Sequence, residues 1–321
     1  MVFGMIVVGG ATRLTHSGLS ITEWQPIVGT LPPITEADWA VVFDKYKLTP
    51  EYQKVNAGMT LDAFKGIFWW EYAHRLLGRT IGMVFLIPLI AFAWLKRIDR
   101  SLALRLCGIF VLGGLQGAMG WYMVKSGLVD NPRVSQFRLT AHLSLAFAIF
   151  AAMQWTALSL LHTNPDSQRS SNCLRNFSRI IFFIICFMVI TGGFVAGIRA
   201  GFAYNSFPLM NGYIVPPEIL SIDPWWMNFF YNMATVQFDH RLGAWALAAL
   251  VPWFWLRSRA ELLSKRARIS CNLLIGMLIV QIGLGIATLL MVVPVPLAAA
   301  HQGGAVLLFA LSLMTVHALR R

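Results

Sequence analysis

The chain has 321 residues, of which 57% are hydrophobic and 12% are charged, and its mean hydropathy is +0.63. This composition excludes an ordinary soluble globular protein and indicates a polytopic membrane protein. The formal net charge of +12 is also common in nucleic-acid-binding proteins. Here, however, the basic residues gather in short connections between apolar segments, and we expect no nucleic-acid partner.

Eight apolar segments follow one another, and we predict an all-α polytopic membrane protein with eight transmembrane helices. The segments are, in chain order, roughly 1–13, 67–95, 106–124, 139–162, 180–198, 234–256, 272–292 and 298–318. A helix needs about 20 residues to cross the hydrocarbon of a bilayer, so the first segment is too short for a complete span. We expect either a truncated first helix, whose upstream half is missing, or a true start further upstream.

Four basic clusters lie in connections that the eight-helix topology places on one face of the membrane. They consist of Lys96, Arg97, Arg100 and Arg105; Arg169, Arg175 and Arg179; Arg257, Arg259, Lys265, Arg266 and Arg268; and Arg320 and Arg321. The positive-inside rule makes this face cytoplasmic or matrix, and the even number of helices places both termini on it.

The two halves of the sequence repeat each other. Glu71–Gly78 matches Gln237–Gly243 in position and character, and Gln116–Gly120 resembles Gln281–Gly285. Gly9-Gly10 likewise parallels Gly192-Gly193. The matching helices run in the same direction, which predicts two four-helix bundles related by a pseudo-twofold axis along the membrane normal.

This repeat divides the chain into three parts. Residues 1–162 form the N-terminal bundle with a long outer loop at 14–66, residues 163–179 form a linker on the basic face, and residues 180–321 form the C-terminal bundle. A loop of that length is more often functional than idle, and we expect it to cap the first bundle on the outer face. Two glycine-rich stretches could admit a flat macrocycle or let helices approach closely, and we favour helix packing. They contain Gly113, Gly114, Gly117 and Gly120, and Gly283 and Gly285.

Four histidines lie at corresponding positions near the outer ends of the second, fourth, sixth and eighth segments: His74, His142, His240 and His301. Each half contributes one pair at one depth, as bis-histidine ligation of a flat macrocycle requires. A lone transmembrane histidine could simply bond a neighbouring helix, and zinc would need three or four converging ligands. We therefore predict two haem sites, and we interpret the unpaired His16, His162 and His317 as loop or interface residues.

Glu71 distinguishes the two halves. It lies one helical turn before His74, whereas its counterpart Gln237 cannot ionise. This asymmetry places chemistry in the first half, with Glu71 as a proton donor or acceptor. The alternative is an interfacial carboxylate that pairs with Arg75 or Arg79.

Three arginines lie just after the first histidine of each pair: Arg75, Arg79 and Arg241. A guanidinium group can bind a haem propionate through two hydrogen bonds, which makes these arginines candidate propionate ligands. Snorkelling to the membrane interface explains them equally well.

These motifs resemble the haem A synthase family, in its alphaproteobacterial and mitochondrial branch (type 2). Gly9–Thr15, Ser17–Ser20, Glu23-Trp24 and Pro32-Pro33 resemble the first-loop signature of the family, and Glu71–Arg75 with the later histidine helices matches its remaining motifs. The resemblance covers essentially the whole chain. It implies an oxidoreductase that oxidises the ring methyl of haem O, a farnesylated haem, to the formyl group of haem A for terminal oxidase assembly.

The resemblance also assigns the sites. His240 and His301 would hold a permanent haem b, His74 and His142 would face the substrate haem O, and Glu71 would be the essential acid. The location it implies is the bacterial inner membrane, or the mitochondrial inner membrane in a eukaryote, with the histidines toward the outer (periplasmic) face. Expected partners are haem O and the synthase that attaches its farnesyl chain, while the electron donor, the oxygen source and homo-oligomerisation stay open.

One rival function shares the histidine pattern. A dihaem b-type electron-transfer protein linked to quinol would carry the same two pairs. The acid without a counterpart, Glu71, and the long first-half loop favour a dedicated substrate site. A transporter built on a repeated bundle explains neither pair.

Overall fold

The computed structural model describes residues 1–24, 28–128, 132, 134–162 and 170–320. These ranges are helical and contain no β-strand, which confirms the all-α class. The helices are α1 (Val2–Leu14), α2 (Glu36–Lys47), α3 (Pro50–Lys54), α4 (Leu61–Trp94), α5 (Arg100–Gly127), α6 (Gln136–Leu161), α7 (Asn172–Gly197), α8 (Asn228–Tyr231), α9 (Met233–Arg259), α10 (Lys265–Leu290) and α11 (Val295–Ala318).

Six of these helices are long and apolar enough to cross a membrane: α4, α5, α6, α7, α10 and α11. In α4 and α5 only 6% of the most apolar stretch is buried inside the protein, so most of that surface faces outward. Apolar faces on this scale are what a hydrocarbon environment requires, since a soluble protein exposes only small apolar patches. The chain is therefore a multi-pass membrane protein.

The long helices begin earlier than the apolar segments predict, because polar side chains cap them. Thr60 accepts a hydrogen bond from the backbone of Ala63, and Asp99 accepts one from Leu102. Ser171 and Ser264 cap α7 and α10 in the same way. Such caps satisfy backbone N–H groups that the helix leaves unpaired. The helices therefore extend beyond the apolar segments at their N-terminal ends.

The segment 14–66 is not a simple loop, which corrects the sequence prediction. It contains α2, α3 and the first turns of α4, and a capping box between Thr35 and Asp38 begins α2. Aromatic side chains bury one another between α2 and the N-terminal end of α4: Trp39, Phe43, Tyr46, Phe64 and Phe68. We call residues 35–60 the cap. It is held on α4 by burial of aromatic surface.

The chain divides into two compact units, residues 1–149 and 150–321, with the boundary inside α6. In unit 1, α4 packs against both α1 and α5. In unit 2, α7, α9, α10 and α11 form a closed ring of neighbours, each packing against the next. Residues 163–169 of the predicted linker, with Arg169, and the terminal Arg321 lie outside the described residues, and α7 begins at Asn172.

Candidate functional site

Each of the four predicted ligand histidines lies against a glycine of a neighbouring helix. The pairs are His74 with Gly9, His142 with Gly120, His240 with Gly192, and His301 with Gly285. A Cβ atom at these glycines would lie 3.0, 3.0, 3.3 and 2.9 Å from the nearest ring atom. Glycine is therefore what leaves room for each imidazole, a role that general helix packing did not predict for Gly120 and Gly285.

Within each unit, the structure brings the predicted partners together. His74 on α4 and His142 on α6 lie close enough to interact electrostatically. The same is true of His240 on α9 and His301 on α11. Among the described residues, no group of three or more His, Cys, Asp or Glu side chains converges in a metal-binding arrangement. The histidines are thus arranged as pairs.

In unit 2, both rings have a polar neighbour at Nδ1. The hydroxyl of Thr191 on α7 lies 2.8 Å from His240 Nδ1, and the side-chain amide of Gln281 on α10 lies 3.2 Å from His301 Nδ1. Gln281 also donates to the main-chain carbonyl of His301 at 3.0 Å. The Thr191 hydroxyl can accept a hydrogen bond from an Nδ1–H group of His240, which leaves Nε2 of that ring as the atom that can ligate a metal. The Gln281 amide instead donates toward His301 Nδ1 and so positions that ring without leaving its Nε2 unprotonated.

In unit 1, the rings are held less firmly. Gln116 on α5 donates to the main-chain carbonyl of His142 at 3.1 Å, and its amide lies 3.4 Å from Nε2 of that ring. The Nδ1 atom of His142 is buried without a hydrogen-bond partner among the described residues. Gln116 and Gln281 thus make the same main-chain hydrogen bond, but their amides lie against different nitrogen atoms of the histidine rings.

Glu71 is buried, and both of its carboxylate oxygens accept hydrogen bonds. One carboxylate oxygen accepts hydrogen bonds from the Ser20 hydroxyl and the Ile21 backbone, both at 2.8 Å. The other accepts from Arg75, at 3.0 and 2.5 Å. Arg75 also donates to the backbone carbonyls of Ile21 and Glu23. The carboxylate and its arginine therefore tie the first outer loop to α4, and the ion pair considered from the sequence is present.

Unit 2 contains the same arrangement without the charge. Gln237 accepts a hydrogen bond from Arg241 at 2.8 Å and donates to the backbone carbonyl of Ala200 at 2.6 Å. Arg241 donates further to the carbonyl of Tyr204. A neutral side chain is thus sufficient to hold the outer loop at this position, so the loop contacts alone do not explain a carboxylate in unit 1.

The third candidate propionate ligand, Arg79, donates to the backbone carbonyl of Gly29 at 2.8 Å. All three arginines therefore bind outer-loop carbonyls of their own unit. Arg241 differs in one respect, since its Nε atom is buried without a hydrogen-bond partner among the described residues. That atom is a donor available to an anionic group beside His240.

Sequence reasoning missed a buried acid in the cap. Glu51 on α3 is only 5% exposed, and burial raises its pKa to about 7. The negative charge of Glu71 adds to the shift, while Arg13 opposes it. No local pattern distinguishes this glutamate from exposed acids on short polar helices, so its burial could be found only from the fold.

His317 is not a loop residue, which corrects one of the two interpretations offered from the sequence. His317 lies on α11 and is fully buried in unit 2. Its ring nitrogens lie 3.3 Å from the Ser159 hydroxyl and 3.3 Å from Arg266, and its ring packs edge-on against Trp155. The last turn of α11 therefore buries the polar ring of His317. Its contacts involve residues more than 50 positions away, which the sequence pattern does not show.

These features define a class: a multi-pass helical membrane protein in which pairs of histidines meet between helices against glycines. Comparison with known proteins identifies the family. The family model described as "Cytochrome oxidase assembly protein" matches residues 1–313, and the chain belongs to this family.

Curated relatives match along the whole chain. A protein named "Heme A synthase" from Nitrosospira multiformis is 63% identical over 325 residues, an alignment that covers 100% of this chain and 91% of the relative. Another of that name from Nitrosomonas eutropha is 58% identical, with 98% of this chain and 89% of the relative covered. A third, from Parvibaculum lavamentivorans, is 49% identical, with 100% and 92% covered. The resemblance to haem A synthases is confirmed.

Proposed function

We propose that this protein is a haem A synthase, a membrane oxidoreductase that oxidises the ring methyl of haem O to the formyl group of haem A. Its relatives carry that name along the full length of the chain. The observation that carries the proposal is the pair of histidines in each unit, His74 with His142 and His240 with His301. Haem A produced in this way would serve the assembly of terminal oxidases, in agreement with the family description.

The residues of both units fit a haem. Paired imidazoles are an established axial donor set for haem iron. The facing glycines keep the space beside each ring free of side chains. In unit 2, the buried Nε of Arg241 lacks a hydrogen-bond partner among the described residues and could bind a propionate carboxylate. A bound haem would supply the redox-active iron, and the helices fix the positions of its ligands.

We assign different haems to the two pairs. His240 and His301 hold a permanent haem b, because Thr191 holds the His240 ring at Nδ1 and Gln281 bonds to the main-chain carbonyl of His301. His74 and His142 face the substrate haem O, in the unit that also contains the cap. Conversion of the methyl to an alcohol and then to an aldehyde hydrate, which loses water, comprises two two-electron oxidations, so it requires an external oxidant. A bound haem b would supply a redox-active iron for exchanging electrons with an external partner.

Glu71 is the proposed proton-handling group of the substrate site. It lies one helical turn from His74, and its counterpart Gln237 shows that the loop contacts need no charge. A carboxylate can transfer a proton, which a neutral amide cannot. Arg75 holds the carboxylate in position, one helical turn before His74.

The proposed architecture is two four-helix bundles related by a pseudo-twofold axis, in the bacterial inner membrane, with the histidines toward the periplasm. The contacts within unit 2 support this orientation. Ser170 bonds to the carbonyl of Leu319, and Ser171 bonds to Glu261, so the basic ends of its helices meet at one end. His240 lies toward the opposite end of α9, near the outer-loop contacts of Gln237.

Haem extraction with mass analysis of the purified protein tests this function. Haem O or haem A alongside haem B supports the synthase. Haem B alone would contradict it and favour the rival, a dihaem b-type electron-transfer protein. Production of the protein with and without the enzyme that makes haem O provides the control, because only a synthase changes its haem content between the two preparations.

A further inference from the structure

Two acidic side chains are buried among the residues that the structure describes, and both belong to unit 1. They are Glu71 on α4, which is 2% exposed, and Glu51 on α3 in the cap, which is 5% exposed. Every other described Asp or Glu is at least partly exposed. Burial of a carboxyl group costs free energy unless the group is paired or protonated, and buried acids therefore cluster at functional sites.

The two carboxyl groups lie close enough to interact electrostatically. Burial raises the pKa of Glu51, the negative charge of Glu71 raises it further, and Arg13 on α1 lowers it. The phenol of Tyr46 on α2 lies within the influence of both carboxylates, but burial raises its pKa to about 12 and keeps it neutral. Glu51 therefore faces one negative and one positive group from the helices around it.

The two acids differ in their hydrogen bonds. Both oxygens of Glu71 accept hydrogen bonds, from Ser20, Ile21 and Arg75. The Oε2 atom of Glu51 is buried without a hydrogen-bond partner among the described residues. A protonated carboxyl group costs less than a carboxylate in such a position. The donors around Glu71 thus fit a carboxylate, whereas the surroundings of Glu51 fit a carboxyl group that holds a proton.

Glu51 is also nearer to the solution than Glu71 is. Gln53 and Lys54 of the same short helix are exposed, within one helical turn of Glu51. Ser20, which donates to Glu71, is fully buried. A proton on Glu71 therefore needs an intermediate group to reach water, and Glu51 lies where such a group is required.

Unit 2 lacks both acids. Gln237 takes the place of Glu71, and none of the described acidic residues of unit 2 is buried. Between α7 and α8 the chain forms two short 3-10 helices, Ala200–Phe202 and Trp225–Met227, in place of the helices of the cap. The two buried acids thus occur together, in the unit that we assign to the substrate.

We propose that Glu51 is the proton-exchange partner of Glu71, through which the substrate site gains protons from the solution outside the membrane or loses protons to it. This proposal rests on the proposed function, in which Glu71 handles protons. In the step, one proton moves between the two carboxyl groups, so the total charge of the pair is unchanged and no electron is transferred. Glu51 then returns to its starting state by exchange with water. It acts through Glu71 and not on the substrate itself.

Infrared spectroscopy of the purified protein tests the coupling without turnover. The carbonyl band of a protonated, buried carboxyl group should titrate with a midpoint near pH 7 in the native protein and be absent from Glu51→Gln. Glu71→Gln should lower the midpoint, because it removes the negative charge that raises the pKa of Glu51. Asp44→Asn, at an exposed carboxylate of α2, should leave it unchanged. A midpoint that stays the same in Glu71→Gln would overturn the proposal.

The pH dependence of haem A formation tests the proton exchange itself. The native rate should change through pH 7, where Glu51 passes from the protonated to the charged form. A fall above pH 7 means that Glu51 supplies protons, and a fall below pH 7 means that it removes them. Glu51→Gln should slow haem A formation about 100-fold and abolish this inflection. Glu51→Asp keeps a carboxyl group and should restore part of the rate together with the inflection.

Hydrogen exchange of the α2 and α3 amides shows whether the cap is folded in each variant. A native rate in Glu51→Gln would overturn the proposal. A slow Glu51→Gln that keeps the native pH profile would also overturn it, because the role of Glu51 would then be structural. A native protein that forms no haem A would instead refute the synthase, and the infrared midpoint would still report whether the two acids are coupled.

Discussion

Glu71 and Gln237 occupy the same position in their units, and each accepts a hydrogen bond from the arginine four residues later. In both cases that arginine also binds carbonyls of the outer loop. The carboxylate accepts two additional hydrogen bonds, from Ser20 and Ile21, where the glutamine donates one to Ala200. Both units therefore have the same hydrogen-bonded connection between helix and loop, but only Glu71 can carry a negative charge. The structural role of Glu71 can thus be tested separately from its proposed role in proton transfer.

Glu71→Gln should abolish most haem A formation and disturb the loop less than removal of the side chain. The amide oxygen can still accept from Arg75, as Gln237 does from Arg241, but the amide loses the hydrogen bond from Ile21 and cannot transfer a proton. General acid–base groups commonly contribute about 100- to 10,000-fold to rate, and we expect a loss in that range. Haem A formation and limited proteolysis of the loop, measured on the same preparation, check both parts.

Glu71→Ala provides the comparison. It removes both the charge and the acceptors for Ser20 and Ile21, so it should expose the loop to proteolysis as well as stop haem A formation. Full activity of Glu71→Gln would show that Glu71 has only a structural role.

Removal of ligands should affect the two sites independently. His301→Ala should release haem b, with a loss of affinity greater than the roughly 10- to 100-fold expected when only a hydrogen-bond partner is removed. His74→Ala should retain haem b and lose haem A formation. Difference spectra and the haem content per protein measure how much haem each variant retains. Loss of haem b in His74→Ala, with the protein still folded, would contradict the assignment of separate sites.

The sequence was sufficient to predict where the histidines lie, because a repeated pattern places them at matching points of apolar segments. It also predicted the all-α class, and six of the eight predicted segments lie in helices long and apolar enough to span a membrane, although starts such as the one capped by Asp99 lie outside an apolar pattern. The helix in the cap also has a signal in the sequence. Trp39, Phe43 and Tyr46 are spaced as one face of a helix, and all three are buried.

The partners of the histidine rings could not be predicted. Thr191 and His240 are 49 positions apart, and their contact depends on how two helices pack. The same is true of Glu51, whose burial depends on the cap folding onto α4. Sequence patterns identify which face of a helix is buried. Hydrogen bonds between helices depend instead on how each helix is rotated about its axis and how it is shifted along its neighbour.

The glycines beside the rings offer a test with matched controls on the same helices. Gly285→Ala would place a Cβ atom 2.9 Å from His301, whereas Gly283→Ala on the same helix meets no atom within 4 Å. We expect Gly285→Ala to displace the ring and shift the haem b spectrum or reduce its occupancy. Gly283→Ala should be neutral or stabilise α10 by up to about 1 kcal/mol, because alanine favours helices over glycine.

Gly120 and Gly117 provide the same comparison in unit 1. A Cβ atom at Gly120 would lie 3.0 Å from His142, and Gly117 has no neighbour within 4 Å. Gly120→Ala should therefore slow haem A formation, while Gly117→Ala should not. Equal effects of the two variants would indicate that the glycines serve general helix packing.

The buried Glu51 should make the stability of the cap depend on pH. Burial raises its pKa from 4.5 to about 7, so the folded cap favours the protonated form. This contribution to stability is fully present below pH 4.5 and is lost as the pH rises toward 7. Above pH 7 the carboxylate is charged and buried near Glu71, with only Arg13 in opposition, at a cost on the order of 3 kcal/mol.

Glu51→Gln should remove that dependence. The amide stays neutral at every pH, so the variant cap should be more stable than the native cap at pH 8 and similar to it below pH 4.5. Hydrogen exchange of the α2 and α3 amides across this range measures the difference. Asp44→Asn, at an exposed carboxylate of α2, is the control and should follow the native protein. A native cap whose exchange is independent of pH, after correction for the intrinsic exchange rate, would show that Glu51 does not titrate in this window.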